Sequence, residues 1–72
     1  MEEKIIHLKP GEPYITLGIL LKIGNIISTG GMAKAFLQEN VVYVNGEQDN
    51  RRGRKLYHGD KIRVLNDLFL ID

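Results

Sequence analysis

The sequence predicts an α+β domain, with two short helices packed on a small, mostly antiparallel β-sheet. Three observations carry that expectation. Apolar residues recur at helical spacing between residues 16 and 39. From residue 41 onward the chain turns to strand-type runs, punctuated by Asn45-Gly46 and Gly59-Asp60. Helical periods first and strand periods later point to segregated α and β layers rather than alternating βαβ units. Seventy-two residues make one domain, residues 1–72, with no room for a second. A chain this short hides only roughly 60% of the surface its unfolded form exposes.

In chain order, residues 4–9 (KIIHLK) read as a first strand, closed by a turn at Pro10-Gly11. His7 reads as a strand-surface residue. Thr16 suits an N-cap, because its hydroxyl can accept a free amide two or three residues on. Leu17, Leu20, Leu21 and Gly24 follow at helical spacing, with Lys22 on the other side. Ile19 and Ile23 widen the apolar face, so this helix is expected to be buried on most sides. Gly24-Asn25 ends it, either residue tolerating the left-handed conformation.

Residues 32–39 form the second helix, with Ala33, Phe36 and Leu37 on one face and Lys34 and Gln38 opposite. Ser28 or Thr29 is expected to cap it. Gly30 and Gly31 fall in its first turn, and two readings of them stay open. Either they let the helix pack closely on a neighbour, or they let an anion approach the free amides at the positive helix end, with Lys34 adding a full charge.

Residues 41–44 (VVYV) are strand-formers, and Asn45-Gly46 is a strong two-residue hairpin signal. Glu47 and Gln48 begin the return strand. Residues 49–53 form a polar loop, with Asp49 and Asp60 as turn formers. In residues 61–65, Ile62 and Val64 point inward and Lys61 and Arg63 outward. Asn66-Asp67 then turns the chain into a last strand over residues 68–71. The N-terminal strand is free to add an edge to this sheet.

Charge is segregated along the chain. Residues 51–63 (RRGRKLYHGDKIR) carry a net +5 within a chain of net +1, so the remainder sums to −4. A basic edge on a slightly acidic body favours a polyanion docking at one place, although a charged hairpin can also be simply solvated. Arg51, Arg52 and Arg54 suit forked contacts to phosphate, and Lys34 and Lys55 suit point-charge contacts. Lys22, Lys61 and Arg63 are positioned to widen the patch. Tyr57 and His58 flank it and offer a stacking face, though a strand tyrosine more often covers the core.

Several functional classes have no support. There is no cysteine, which excludes disulfide and thiolate chemistry and suits a reducing cytoplasm. The longest greasy stretch, residues 14–27, is interrupted by Gly18, Lys22, Gly24 and Asn25 and is too short to span a bilayer. Glu2 and Glu3 stand where a secretion signal wants cations. His7 and His58 lack carboxylate, serine or second-histidine company at ligand spacing, and the Gly-x-x-x-x-Gly-Lys-Ser/Thr loop is missing. The expectation is a cytoplasmic protein with no catalytic residue, no metal, no cofactor, no small-molecule substrate and no membrane partner. Nothing in the sequence fixes its oligomeric state.

The order of these signals resembles a known family. A capped Leu17-x-x-x-Leu21 helix, a serine before a second helix carrying Ala33, Val42-x-Val44-Asn45-Gly46 and Gly59-Asp60-x-Ile62 are similar to the RNA-binding domain named after small-subunit ribosomal protein four, the S-four domain. The resemblance runs over residues 16–64. The wording STGGMAK, VNGE and RRGRKL-x-x-GD looks closer still to the small stand-alone members often labelled YaaA-like. It implies two helices in an L-shaped motif gripping structured RNA, commonly ribosomal RNA, and by analogy with other short relatives an assembling large subunit. The chain departs from the family pattern at Thr16 and Thr29, where many members carry arginine, at Gly18 for aspartate and at His58 for proline. The RNA contacts implied here therefore fall to Ser28, Thr29, the amides of Gly30 and Gly31, Lys34 and the hairpin cations. The alternative is a protein-interaction module whose basic hairpin meets an acidic partner protein.

Overall fold

Alternation in the strands fixes which face of the sheet is covered. The computed structural model describes residues 2–72, apart from the side chain of Glu2. Among the described residues, seven strands and two helices follow one another: β1 (Glu2–Ile6), β2 (Tyr14–Thr16), α1 (Leu17–Ile23), α2 (Ala33–Glu39), β3 (Val42–Val44), β4 (Glu47–Gln48), β5 (Lys55–Tyr57), β6 (Lys61–Val64) and β7 (Asp67–Ile71). The main sheet has the order β1-β7-β6-β3-β4. Its pairs are antiparallel except for β1, which lies parallel to β7 at one edge. The expected α+β architecture is therefore present, with the N-terminal edge strand at Glu2–Ile6 rather than over residues 4–9.

Val42, Val44, Ile62, Val64, Phe69 and Ile71 face inward and are almost completely buried against Leu17, Leu20, Leu21 and Leu37 of the helices. Full burial of a ring such as Phe69 contributes about 2 kcal/mol. Gly24, at the C-terminus of α1, sits on that ring: a β-carbon there would stand 2.7 Å from two Phe69 ring atoms. Asn25 then takes a φ of 60°, so the two residues divide the expected ending between close packing and left-handed backbone. The Asn45-Gly46 hairpin has positive φ at both positions, 52° and 86°, as a two-residue turn of this type requires.

Four local expectations change. The helix α1 is not buried on most sides: Ile19 and Ile23 are 47% and 52% exposed, since only Leu17, Leu20 and Leu21 meet the sheet. Gly30 and Gly31 lie in a 3₁₀ turn (Gly30–Met32) ahead of α2 rather than in its first turn. Neither Ser28 nor Thr29 caps α2; its N-cap position is Met32, and Thr29 precedes the 3₁₀ turn without a side-chain hydrogen bond. A second, two-stranded sheet pairs β2 with β5, two segments whose apolar positions are too few to announce a strand alone.

Candidate nucleic-acid interface

Loop 49–54 is held by three sets of hydrogen bonds. Asp49 accepts from the Arg51 amide at 2.9 Å, forming an Asx turn. Its carboxylate also receives Arg51 Nε at 3.1 Å, Arg51 Nη2 at 2.8 Å and Arg54 Nη1 at 3.1 Å. The loop backbone meanwhile caps α1: Leu17 and Gly18 donate their amides to the carbonyl oxygens of Arg54 and Arg52, at 2.8 and 2.9 Å. Thr16 Oγ1 accepts the next free amide, from Ile19, at 3.4 Å. Three of the four orphan donors at the start of α1 are thereby satisfied, and the arginine loop is tied to the helix.

The side chain of Asp49 is only 8% exposed. The hydrogen bond from Arg51 draws its pKa down to about 2; burial opposes this, and the Arg51 amide and the charges of Arg51 and Arg54 reinforce it. The same hydrogen bond raises the Arg51 guanidinium above its ordinary value. Asp49 is the residue that sequence reasoning undervalued. Counted from there, stretch 49–63 carries +4 rather than +5, and two of its arginines share one anion.

The loop forms a ridge with a depression on each side, and Gly53 lines both. On the helix side, about 420 Å³ is lined by Thr16, Gly18, Ile19, Lys22, Gly30, Ala33, Arg52 and Gly53. Gly18 lets the loop come close: a β-carbon there would lie 3.3 Å from the Arg52 carbonyl oxygen and 3.5 Å from the Ala33 β-carbon. On the strand side, about 530 Å³ is lined by Arg51, Gly53, Arg54, Lys55, Tyr57 and Asp60. Among the described residues, no hydrogen bond or ion pair engages the Arg52 guanidinium.

The remaining predicted residues distribute as follows. Ser28, Thr29, Gly30, Gly31 and Lys34 are exposed. A β-carbon on Gly30 would meet nothing within 4 Å and one on Gly31 only Thr29 Oγ1, so these glycines do not serve close packing. Lys34 follows Ala33 on α2, and His58 is exposed at the turn after β5. Lys61 and Arg63 point to the outer face of the main sheet, in a third depression with Tyr43 and Leu68 that shares no lining residue with the other two. There Arg63 lies over the Tyr43 ring, 5.1 Å from its centroid. Tyr57 does not cover the core; it is 48% exposed. No group of three or more metal-ligating side chains occurs among the described residues, and none of their helices is long and apolar enough to cross a membrane.

An arginine loop seated by its backbone on the first of two short helices, against an α+β frame, defines a small S4-type module. The chain belongs to the S4 domain family, whose model matches residues 8–71. Over 50 residues it is 60% identical to the "Probable ribosome maturation protein RlbA" of Bacillus subtilis (strain 168), a stretch that covers 69% of this chain and 70% of that protein.

Proposed function

We propose that this protein is a non-catalytic RNA-binding module that acts on structured ribosomal RNA or an assembling ribosomal subunit, the large one by analogy with its short relatives. The observation that carries the reading is the ridge itself. Arg52, unpaired among the described residues, lines the helix side with Lys22 and the open backbone of Gly30, while Arg51, Arg54 and Lys55 line the strand side. Two cationic troughs flanking one fixed loop suit a folded polyanion better than a single point contact. The same reading assigns further contacts to the neighbouring exposed residues Ser28, Thr29 and Gly31, with Lys34 as a point charge. The family membership and the printed name of the Bacillus relative support the same reading. The test is binding of the purified protein to ribosomal subunits and to fragments of their RNA. Arg52→Glu is expected to abolish binding without loss of fold, and undiminished binding by that variant would refute the proposed site.

A second reading, docking on an acidic partner protein, gains one observation. Ile19, which lines the helix-side trough, and Ile23 and Met32 are exposed large apolar residues, the kind of anchor that a protein interface uses. Copurification separates the two readings: nuclease-sensitive nucleic acid favours the first, a stoichiometric protein the second.

A further inference from the structure

The two-stranded β2–β5 ladder has an inner and an outer side. Ile15 and Leu56 are register partners, 4% and 0% exposed, and they pin the ladder to the core. Alternation then places Tyr14, Thr16, Lys55 and Tyr57 on the opposite, solvent side. Tyr14 and Tyr57 are direct partners whose ring centroids lie 5.7 Å apart with planes inclined at 52°. Lys55 Nζ stands 5.0 Å from the Tyr14 centroid. The Tyr57 backbone is fixed because its amide donates to Asp60 Oδ2 at 2.7 Å. Asp60, the one acid lining this depression, is also held by Asn45 Nδ2 at 3.0 Å. A firmly placed aromatic ring is thus left half in water, in the same trough as Arg51, Arg54 and Lys55.

We infer that Tyr57, braced by Tyr14, is a stacking platform for one unpaired RNA base, with Arg54 and Lys55 taking the adjoining phosphates. This rests on the RNA-binding reading above and adds what that RNA must offer. An exposed aromatic face gains most when a flat apolar surface covers it, and a base supplies one with a phosphate attached. A continuous duplex has no free base face to give, whereas loops, bulges and ends do. Tyr14 is a positioning residue here: it holds Tyr57 and, through its own face, Lys55. The protein therefore selects RNA in which an unstacked nucleotide lies beside the phosphates bound by the ridge.

The experiment uses the full chain at low salt with a short stem–loop RNA, and with the same RNA whose loop bases are replaced by abasic riboses, so that the phosphates remain. For the unaltered protein the abasic RNA is expected to bind about 5- to 150-fold more weakly, the range for one stacked base. Tyr57→Phe should keep that difference, and Tyr57→Leu should lose it, binding both RNAs equally and weakly. Circular dichroism melting of each variant reports its fold, and the abasic comparison on the unaltered protein needs no variant at all. Equal binding of the two RNAs by the unaltered protein overturns the platform while leaving the RNA-binding reading standing, as does a Tyr57→Leu variant that still discriminates. Failure to bind either RNA overturns both.

Discussion

The amide of Gly18 donates to the carbonyl oxygen of Arg52 at 2.9 Å, so the start of one helix and the crest of the basic loop are a single hydrogen-bonded unit. The loop keeps its shape because α1 needs acceptors, and α1 keeps its start because the loop supplies them. A larger residue at position 18 tests that mutual dependence. Gly18→Val puts branched carbons where a β-carbon already stands 3.3 Å from the Arg52 oxygen. The expected outcome is a loss of about 1–3 kcal/mol in stability, the usual range for overpacking, read by denaturant unfolding. Chemical shifts should change together at residues 51–54. Gly18→Ala is expected to be nearly neutral, its helix-propensity gain of up to about 1 kcal/mol opposing the close contact.

Asp49 gives the fold an acid limb. Its folded pKa, about 2, lies below the ordinary carboxylate value of 3.8. A group with a depressed pKa stabilises the fold above its unfolded value and loses that contribution as pH falls through the folded one. Stability is therefore expected to drop between about pH 4 and pH 2, by about 1–2 kcal/mol once the solvent exposure of Arg51 is discounted. Asp49→Asn should remove this pH dependence and lower stability at neutral pH. Urea unfolding as a function of pH checks both.

Affinity for RNA is expected to divide the cations by face. Arg52→Ala and Lys22→Ala should each weaken binding and flatten the dependence of log affinity on log salt by about 0.7, the single-strand coefficient for one lost phosphate contact. Arg63→Ala and Lys61→Ala, on the outer sheet face, should leave the slope unchanged. Four or five phosphates engaged in all give a slope near −3 to −4 by the same coefficient. Titrations at several salt concentrations decide the matter.

Gly24 is expected to be intolerant. With a β-carbon 2.7 Å from the Phe69 ring, Gly24→Ala must displace a fully buried aromatic or the end of α1. A loss of about 1–3 kcal/mol follows, visible as a lowered melting temperature.

Leu65 points the other way. It is exposed and sits at φ 54° in the turn between β6 and β7. A leucine held there stores backbone strain of about 1 kcal/mol that asparagine tolerates. Leu65→Asn is expected to stabilise the protein by up to that amount in the same melting assay.

Most of the frame was legible in the sequence because local signals and tertiary packing agree. Thr16 caps α1, Asn45-Gly46 turns a hairpin, and Ile62 and Val64 alternate inward. The β2–β5 ladder was not, since Ile15 and Leu56 are lone apolar positions whose partnership exists only across forty residues of chain. The expectation for Ile19 and Ile23 failed because helical spacing reports which residues share a face, not whether anything covers it. At the site, the basic cluster was plain in the charge pattern, but its division by a ridge was not. That division depends on carbonyl groups of residues 52 and 54, and backbone acceptors have no sequence signature. The spacing Asp49-x-Arg51 did hold a sign, an Asx turn, of the carboxylate that gathers two arginines.

The pairing of β1 with β7 has a consequence for how the molecule is made. Residues 67–71 stand between the first strand and the hairpin-linked remainder, so this interior member of the sheet is synthesised after the four strands β1, β3, β4 and β6. While a nascent chain still lacks them, β1 has no strand to pair with, and Ile6 and Ile62 are without their register partners Ile71 and Phe69. Closure of this sheet must therefore await residues 67–71, and that long-range contact sets the pace of its folding.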